Sequence, residues 1–225
     1  MHLLNENGQQ MNKLKAALFD LDGVVFDTEP QYTEFWGAQS REFHPEIPHL
    51  EKAIKGQTLT QIYDKYFSGE LQAKQALITK RLNDFEKQMN FDYIAGFEKF
   101  VTELRAHGVK TAVVTSSNVP KMNSVYSKHP EFCQLFDAIL TAEDFKESKP
   151  SPDCYLTAAG MFNVTPEECV VFEDSFNGLK SGRAAGMTIV GLATTNSPEA
   201  ILPYSDIVVM DYNGMTFDKC NNLLS

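Results

Sequence analysis

Six short apolar runs, separated by stretches with helical spacing, constrain the fold of this 225-residue chain more than any other feature. Most of the runs are continuously apolar, which is typical of strands in a parallel sheet that helices cover on both faces. Alternation of such strands with helices favours a doubly wound α/β fold. The predicted strands are AALFDLD (16–22), TAVVTSS (111–117), DAILTA (137–142), CVVFEDS (169–175), TIVGLAT (188–194) and DIVVMD (206–211).

One interval between strands is too long for a single helical crossover. Asp20 and Thr115 are about 95 residues apart, whereas a strand–helix–strand unit needs only about 30. The surplus has helical periodicity and no convincing strand. We therefore predict an inserted α-helical cap domain at 30–96, within a Rossmann-like core domain made of 11–29 and 97–225. Residues 1–10 are expected to form a disordered lead-in.

Composition and charge limit the binding partners and the cellular compartment that we expect for this chain. The formal net charge is −10 and no cluster of Lys and Arg offsets it, so we expect no nucleic-acid partner. No run of 18 apolar residues occurs, so we expect no membrane span. The four cysteines lack C-x-x-C spacing, which favours reduced thiols in a cytoplasmic protein over disulfides or a zinc site. We also expect a monomer or a weak homo-oligomer.

Polar side chains follow several of the predicted strands at their carboxyl ends, where open α/β sheets bind ligands. Asp20 and Asp22 are two residues apart at the end of the first strand, so both are expected to face the same ligand. Gathering carboxylates in this way is unfavourable unless a positive charge joins them. The other side chains expected at this rim are Thr115, Ser116, Ser117, Asn118, Lys149, Glu173, Asp174 and Ser175.

Four motifs at these positions resemble those of one enzyme superfamily. They are DLDGVVFDTEP (20–30), VVTSSN (113–118), SKPSPD (148–153) and VFEDSFNG (171–178), in that order along the chain. Together they resemble the haloacid dehalogenase superfamily, in the branch that contains β-phosphoglucomutase and its sugar-phosphate phosphatase relatives. The resemblance extends from residue 16 to about residue 211.

The resemblance implies a mechanism for the acidic cluster. Asp20 is expected to attack phosphorus and form an aspartyl-phosphate, while Asp22 protonates the leaving oxygen and later takes a proton from water. Asp20, Asp174 and the backbone carbonyl of Asp22 are expected to bind Mg²⁺, which prefers oxygen ligands. Glu173 is expected either to reach the metal through water or to orient a neighbouring residue.

The remaining rim residues are expected to bind the phosphoryl group. Thr115 would donate a hydrogen bond to it, and Lys149 would offset its charge together with that of the nucleophile. Ser116 and Asn118 are further candidates for substrate binding. The resemblance also places KGQT (55–58) in the cap loop that approaches the substrate, so Gly56, Gln57 and Thr58 are candidates for specificity.

Several of these residues also have a purely structural interpretation. Thr115 is a common turn residue, Lys149 could be a solvated loop lysine, and Asp174 could belong to a helix cap, which is compatible with metal binding. Asp27 and Glu29 fit a solvated turn as well as an active-site flap.

The function favoured at this stage is a Mg²⁺-dependent phosphatase that acts on a small phosphorylated metabolite. A β-phosphoglucomutase is the alternative. That enzyme normally has a cap arginine where Leu59 or Thr60 stands here, and a histidine where Tyr32 stands, which weakens this alternative; Lys52 or Lys55 could substitute for the arginine, so the mutase stays open. A C–halogen hydrolase is disfavoured because such enzymes need neither Asp22 nor a metal. A catalytically silent phosphoryl-binding protein is disfavoured because all four motifs are intact.

Overall fold

The computed structural model of the chain describes residues 13–224, and the predicted lead-in at 1–10 lies outside that range. Six strands form one parallel sheet: β1 (Ala16–Phe19), β2 (Lys110–Val114), β3 (Ala138–Leu140), β4 (Cys169–Glu173), β5 (Thr188–Leu192) and β6 (Ile207–Val209). Their order across the sheet is β3-β2-β1-β4-β5-β6, which confirms the doubly wound α/β fold. From β1 the strands follow one another toward one edge of the sheet as far as β3, and from β4 they follow one another toward the other edge. A ligand crevice is therefore expected at the carboxyl ends of β1 and β4, where the order reverses.

The predicted strands are two or three residues too long at their carboxyl ends. The first was predicted to continue to Asp22 but ends at Phe19, and the second was predicted to continue to Ser117 but ends at Val114. Thr115 still donates its N–H to Leu140 O at 3.0 Å, and the chain then leaves the ladder. Valine and threonine favour strands wherever they occur, so composition alone does not mark this exit.

Helices cover both faces of the sheet, which explains the continuously apolar strands. Ala17 and Phe19 of β1 belong to one buried cluster, and Ala16 and Leu18 belong to the cluster on the opposite face. The α-helices are α1 (Glu29–Phe43), α2 (Leu50–Ala53), α3 (Leu59–Tyr66), α4 (Gln75–Glu86), α5 (Phe97–Ala106), α6 (Val119–Lys128), α7 (Asp153–Phe162), α8 (Phe176–Ala184), α9 (Pro198–Ile201) and α10 (Phe217–Leu223). Within residues 13–224, none of the helices is long and apolar enough to cross a membrane.

Helices α1 to α4 form the inserted cap and pack around a small core of their own. Its largest buried side chains include Trp36 and Phe67. Two crossing segments connect the cap to the sheet, where Asp27 donates its N–H to Asp92 O at 2.9 Å and Phe26 pairs with Tyr93. The range 30–96 stays our proposed extent of this domain, and 11–29 with 97–225 that of the core.

Candidate active site

A cavity of about 430 Å³ lies between the cap and the carboxyl ends of the strands. All of the predicted site residues line it except Glu173, which is fully buried next to it. From the core the cavity receives Asp20, Asp22, Thr115, Ser116, Asn118, Lys149 and Asp174, and from the cap it receives Gly56, Gln57 and Thr58. The structure therefore brings the four motifs together around one space.

Lys149 is the positive centre of this site and is only 1% exposed. Its Nζ donates to Asp20 Oδ1 at 2.7 Å, to Glu173 Oε1 at 2.6 Å and to Val114 O at 3.0 Å. Burial by itself lowers the pKa of Lys149, but attraction to Asp20 and Glu173 outweighs it and leaves that pKa above its ordinary value. Lys149 is therefore a protonated lysine fixed beside Asp20, and its interpretation as a solvated loop residue is wrong.

Glu173 uses both carboxylate oxygens within the protein. Oε1 accepts from Lys149 and from Tyr155 Oη at 2.8 Å, and Oε2 accepts from the N–H groups of Asp174 and Ser175 at 3.1 and 3.3 Å. One oxygen each of Asp20, Glu173 and Asp174 lie within 4.8 Å of one another, an arrangement that could hold a metal ion. Since protein donors already occupy Glu173, we assign it to orienting Lys149 and leave direct ligation to the two aspartates.

Asp20 and Asp174 provide the oxygens that suit a hard cation. Burial, with the nearby carboxylates of Glu173 and Asp22, raises the pKa of Asp20 to about 7, although Lys149 opposes the change. Burial and the carboxylates around Asp174 raise its pKa well above the ordinary value. Across residues 13–224, no donor reaches Asp20 Oδ2 or Asp174 Oδ1, so these two atoms are available to a cation. Such a cation would relieve the repulsion among these carboxylates.

Gly23 allows the first motif to approach Asp174 closely. Its φ is +73°, and a Cβ at this position would lie 2.2 Å from Asp174 Oδ2. A side chain there would be strained and would also displace the carboxylate. The glycine of the Asp-x-Asp-Gly pattern is therefore explained by the space that the Asp174 side chain occupies.

Asp22 is held by a separate set of donors. Thr28 Oγ1 donates to Oδ1 at 2.5 Å, Ser117 Oγ donates to Oδ2 at 3.1 Å, and Lys121 Nζ forms an ion pair with Oδ2. Lys121 is 2% exposed and its Nζ lies 4.5 Å from the centre of the Tyr32 ring. The two aspartates of the first motif thus have different environments, Asp20 beside Lys149 and Asp22 beside Lys121.

Sequence reasoning missed Lys121, although a signal was present. Asn118 is the N-cap of α6, and its Oδ1 accepts from the N–H of Lys121 at 3.1 Å. The third residue of a helix that starts at the rim is close enough for a long side chain to reach back to it. A lysine three residues after an N-cap at a ligand-binding strand end is therefore a candidate site residue.

The hydroxyl groups of Thr115 and Ser116, which follow β2, differ in how far protein partners already use their hydrogen-bonding capacity. Thr115 Oγ1 accepts from Ser117 N at 3.0 Å, which leaves its own proton to donate. Ser116 Oγ is buried at the cavity wall and has no hydrogen-bond partner within the described chain. A buried hydroxyl without a partner is unfavourable unless a ligand binds it, so Ser116 is well placed for a phosphoryl oxygen.

The cap loop KGQT contacts the core directly. A Cβ on Gly56 would lie 2.5 Å from Ser175 Oγ, and Lys55 Nζ lies 2.7 Å from Glu29 Oε2. Thr58 is the N-cap of α3 and forms a capping box with Gln61, while Gln57 Nε2 donates to Ala53 O at 2.6 Å. Thr58 and Gln57 thus support the loop, and Lys55 joins it to the core.

Two further residues that the sequence did not assign to the site contribute to it: Glu29 lines the cavity, and Gln61 supports it from outside. Gln61 Nε2 donates to Lys149 O at 3.2 Å, so α3 of the cap is tied to the loop that carries the central lysine. Glu29 is 9% exposed and lines the cavity, whereas Asp27 is exposed. Of the two acidic residues left open at the sequence level, Glu29 belongs to the site and Asp27 to the turn.

A family model described as haloacid dehalogenase-like hydrolase matches residues 17–192. The chain belongs to this family, and the resemblance inferred from the four motifs is confirmed. The expectation that the protein is a hydrolase is confirmed with it.

Individual relatives place the chain more closely within the family. It is 31% identical over 193 residues to a probable pseudouridine-5'-phosphatase of Drosophila melanogaster, covering 80% of this chain and 82% of that protein. It is 28% identical over 217 residues to hexitol phosphatase A of Escherichia coli, covering 93% and 97% respectively. A solved β-phosphoglucomutase from Clostridium difficile shares its fold, with a TM-score of 0.78 at 23% identity over 94% of this chain and 97% of that one.

Proposed function

We propose that the protein is a Mg²⁺-dependent phosphatase that hydrolyses a phosphate monoester of a small metabolite through an aspartyl-phosphate. The observation that carries this proposal is the pairing of Asp20 with the buried Lys149, while Asp22 is held nearby by Thr28, Ser117 and Lys121. Relatives that are named phosphatases support the same conclusion.

The proposed reaction has two steps. An Oδ atom of Asp20 forms a bond to phosphorus while the bond to the ester oxygen breaks, and Asp22 gives its proton to the departing alcohol. Water then attacks the aspartyl-phosphate, Asp22 takes the proton from that water, and inorganic phosphate leaves Asp20 unchanged. Lys149, Thr115 and Ser116 bind the phosphoryl oxygens in both steps.

Mg²⁺ would be held by Asp20, Asp174 and the backbone carbonyl of Asp22. When bound, it supplies positive charge that offsets the carboxylates and the phosphoryl group. The free oxygens of Asp20 and Asp174 and the space kept by Gly23 support this assignment.

Release of phosphate from a panel of monoesters with Mg²⁺ tests the proposal. The wild-type protein is expected to turn over at least one ester, and Asp20→Asn is expected to be inactive because its amide is not a nucleophile. Asp27→Asn is the matched control, because Asp27 is exposed and outside the cavity. Equal inertness of the wild type and Asp20→Asn over a broad panel would contradict a phosphatase.

The same panel tests the mutase alternative. Conversion of β-glucose 1-phosphate to the 6-phosphate without release of phosphate would favour it. We propose the phosphatase because Leu59 and Thr60 offer no cation, the cap cation Lys55 is paired with Glu29, and Tyr32 donates its hydroxyl to Glu86 Oε1 at 2.8 Å.

A further inference from the structure

The charges that line the cavity are unequally divided between acids and bases. Among residues 13–224, seven acidic side chains line it and three cationic ones do, which are Lys55, Lys121 and Lys149. A phosphate monoester is itself an anion, so the location of these lysines decides how much negative charge the substrate can carry.

Each of the three lysines already has a carboxylate partner. Lys149 pairs with Asp20 and Glu173, and Lys121 pairs with Asp22, so both belong to the end of the cavity that receives the phosphoryl group. Lys55 of the cap pairs with Glu29 at 2.7 Å, and the two side chains are 18% and 11% exposed. Among the cavity residues that the structure describes, Lys55 is therefore the one cation outside the phosphoryl end, and the carboxylate of Glu29 already offsets its charge.

The cap wall, where the alcohol portion of the substrate would lie, combines apolar and acidic side chains with the neutral polar groups of Gln57, Thr58 and Thr60 and, within the described chain, a single cation, Lys55. Trp36, Ile54, Ile62 and Leu82 contribute aromatic and aliphatic surface to it. Such surface favours the carbon face of a ring and cannot solvate an anion.

Two carboxylates complete this wall. Glu86 is 5% exposed and accepts from Tyr32, and Glu51 has a side chain that is 16% exposed. The imidazole of His49 lies 3.4 Å from Glu51, and 73% of the His49 side chain is exposed. A second anion on the substrate would therefore meet carboxylates without a free cation to offset them.

We propose that the cavity selects monophosphate esters whose alcohol portion is an uncharged ring, and that it rejects esters with a second phosphate or a carboxylate. The inference rests on the phosphatase activity proposed above and narrows its substrate class. Placing like charges together at a binding site is strongly unfavourable, so we expect a preference of about 100-fold or more in kcat/KM.

Paired substrates measure this preference directly. Glucose 6-phosphate is compared with glucose 1,6-bisphosphate, and uridine 5'-monophosphate with uridine 3',5'-bisphosphate, at constant ionic strength with saturating Mg²⁺. In each pair the ring is the same and only the second anion differs. A preference of at least about 100-fold for the monophosphate of either pair supports the proposal. Equal use of both members, or preference for the bisphosphates, overturns it.

A charge series at Glu51 tests the physical cause. The preference is expected to fall from the wild type to Glu51→Gln and to fall further in Glu51→Lys, which supplies the cation that the wall lacks. Glu46→Lys makes the same change of charge on the cap surface outside the cavity, and it should leave the ratio unchanged. A ratio that responds equally to both lysine variants would show that net charge, not the cavity wall, sets the preference.

Calorimetric binding of the same esters to Asp20→Asn separates this inference from the proposed activity. If the monophosphates bind preferentially but the wild type turns none of them over, the proposed phosphatase activity is refuted and the proposed selectivity stands. If the bisphosphates are hydrolysed as fast as the monophosphates, the proposed selectivity is refuted and the proposed phosphatase activity stands. Binding of neither ring-bearing monophosphate would overturn the proposed substrate class.

Discussion

Replacing Gly178 by alanine tests whether the buried Glu173 carboxylate holds the active site in place. Gly178 lies in the first turn of α8, and a Cβ there would lie 1.8 Å from both Cδ and Oε1 of Glu173. The carboxylate has no room to yield without losing partners, because Lys149 and Tyr155 bind one oxygen and backbone N–H groups bind the other.

The expected loss of stability can be estimated from these contacts. Overpacking of a filled site costs about 1–3 kcal/mol, and hydrogen bonds lost from a buried charged group cost about 1.5–3 kcal/mol. Replacing a helical glycine by alanine otherwise raises the free energy of unfolding by about 0.5–1 kcal/mol. We therefore expect Gly178→Ala to lower the free energy of unfolding by about 2–5 kcal/mol. Since Glu173 positions Lys149, we also expect kcat to fall about 100-fold.

Gly160 provides a matched control in α7. A Cβ there meets no atom within 4 Å, so Gly160→Ala is expected to leave kcat unchanged and to raise stability by up to about 1 kcal/mol. Urea denaturation followed by far-UV circular dichroism gives the free energies, and phosphate release gives kcat. If Gly178→Ala is as stable and as active as Gly160→Ala, then Glu173 does not have the role assigned to it.

Three further predictions concern charged groups around the cavity. Lys121→Met should lower kcat about 100-fold, because Asp22 loses one of the three groups that hold it in position, while Mg²⁺ binding by calorimetry should persist; lost metal binding would contradict the assigned role. Burial raises the pKa of Glu86, so its contribution to stability is full below its unfolded pKa and is lost as the pH rises through the folded value. Glu86→Gln can still accept from Tyr32, so its melting temperature relative to the wild type should increase from pH 4.5 to pH 7.5, and a constant difference would refute this. EDTA should abolish activity and Mg²⁺ restore it, and Mg²⁺ should raise the melting temperature of the wild type but not of Asp174→Asn; activity that survives thorough chelation would exclude the metal.

The sheet could be predicted from the sequence because its strands are buried on both faces. Residues 16–19 are all completely buried, so every side chain of this strand is apolar. The strand could therefore be recognised although apolar and polar residues do not alternate along it. The ends of the strands could not be predicted in the same way. Thr115 keeps one ladder hydrogen bond and then leaves the sheet, and this change depends on the partner strand rather than on local composition.

The acidic residues of the site were visible in the sequence, and so were Lys149 and the cap loop that carries Lys55, whereas the carboxylate partner of Lys55 and the whole contribution of Lys121 were not. Asp20, Asp22 and Asp174 stand in short motifs next to strands, where spacing alone indicates a shared rim. Lys55 and Lys121 stand in helical or loop segments with ordinary composition. Their importance depends on which carboxylate they reach, and that is a property of the tertiary structure.

The lysines explain how a fold with net charge −10 can assemble so many carboxylates at one point. Lys149 comes from the loop after β3, Lys121 from α6 and Lys55 from the cap, so each arrives on a different segment of the chain. Each pairs with an acid that is distant in sequence, since Lys149 meets Asp20 and Lys121 meets Asp22. A buried carboxylate without a partner is strongly unfavourable, so the acidic cluster is tolerated only when the sheet, α6 and the cap have come together. The pair between Lys55 and Glu29 joins the cap loop to the first residue of α1, at the junction between the cap and the core segment 11–29. Charge pairing therefore ties the cap loop to the segment that carries Asp20 and Asp22.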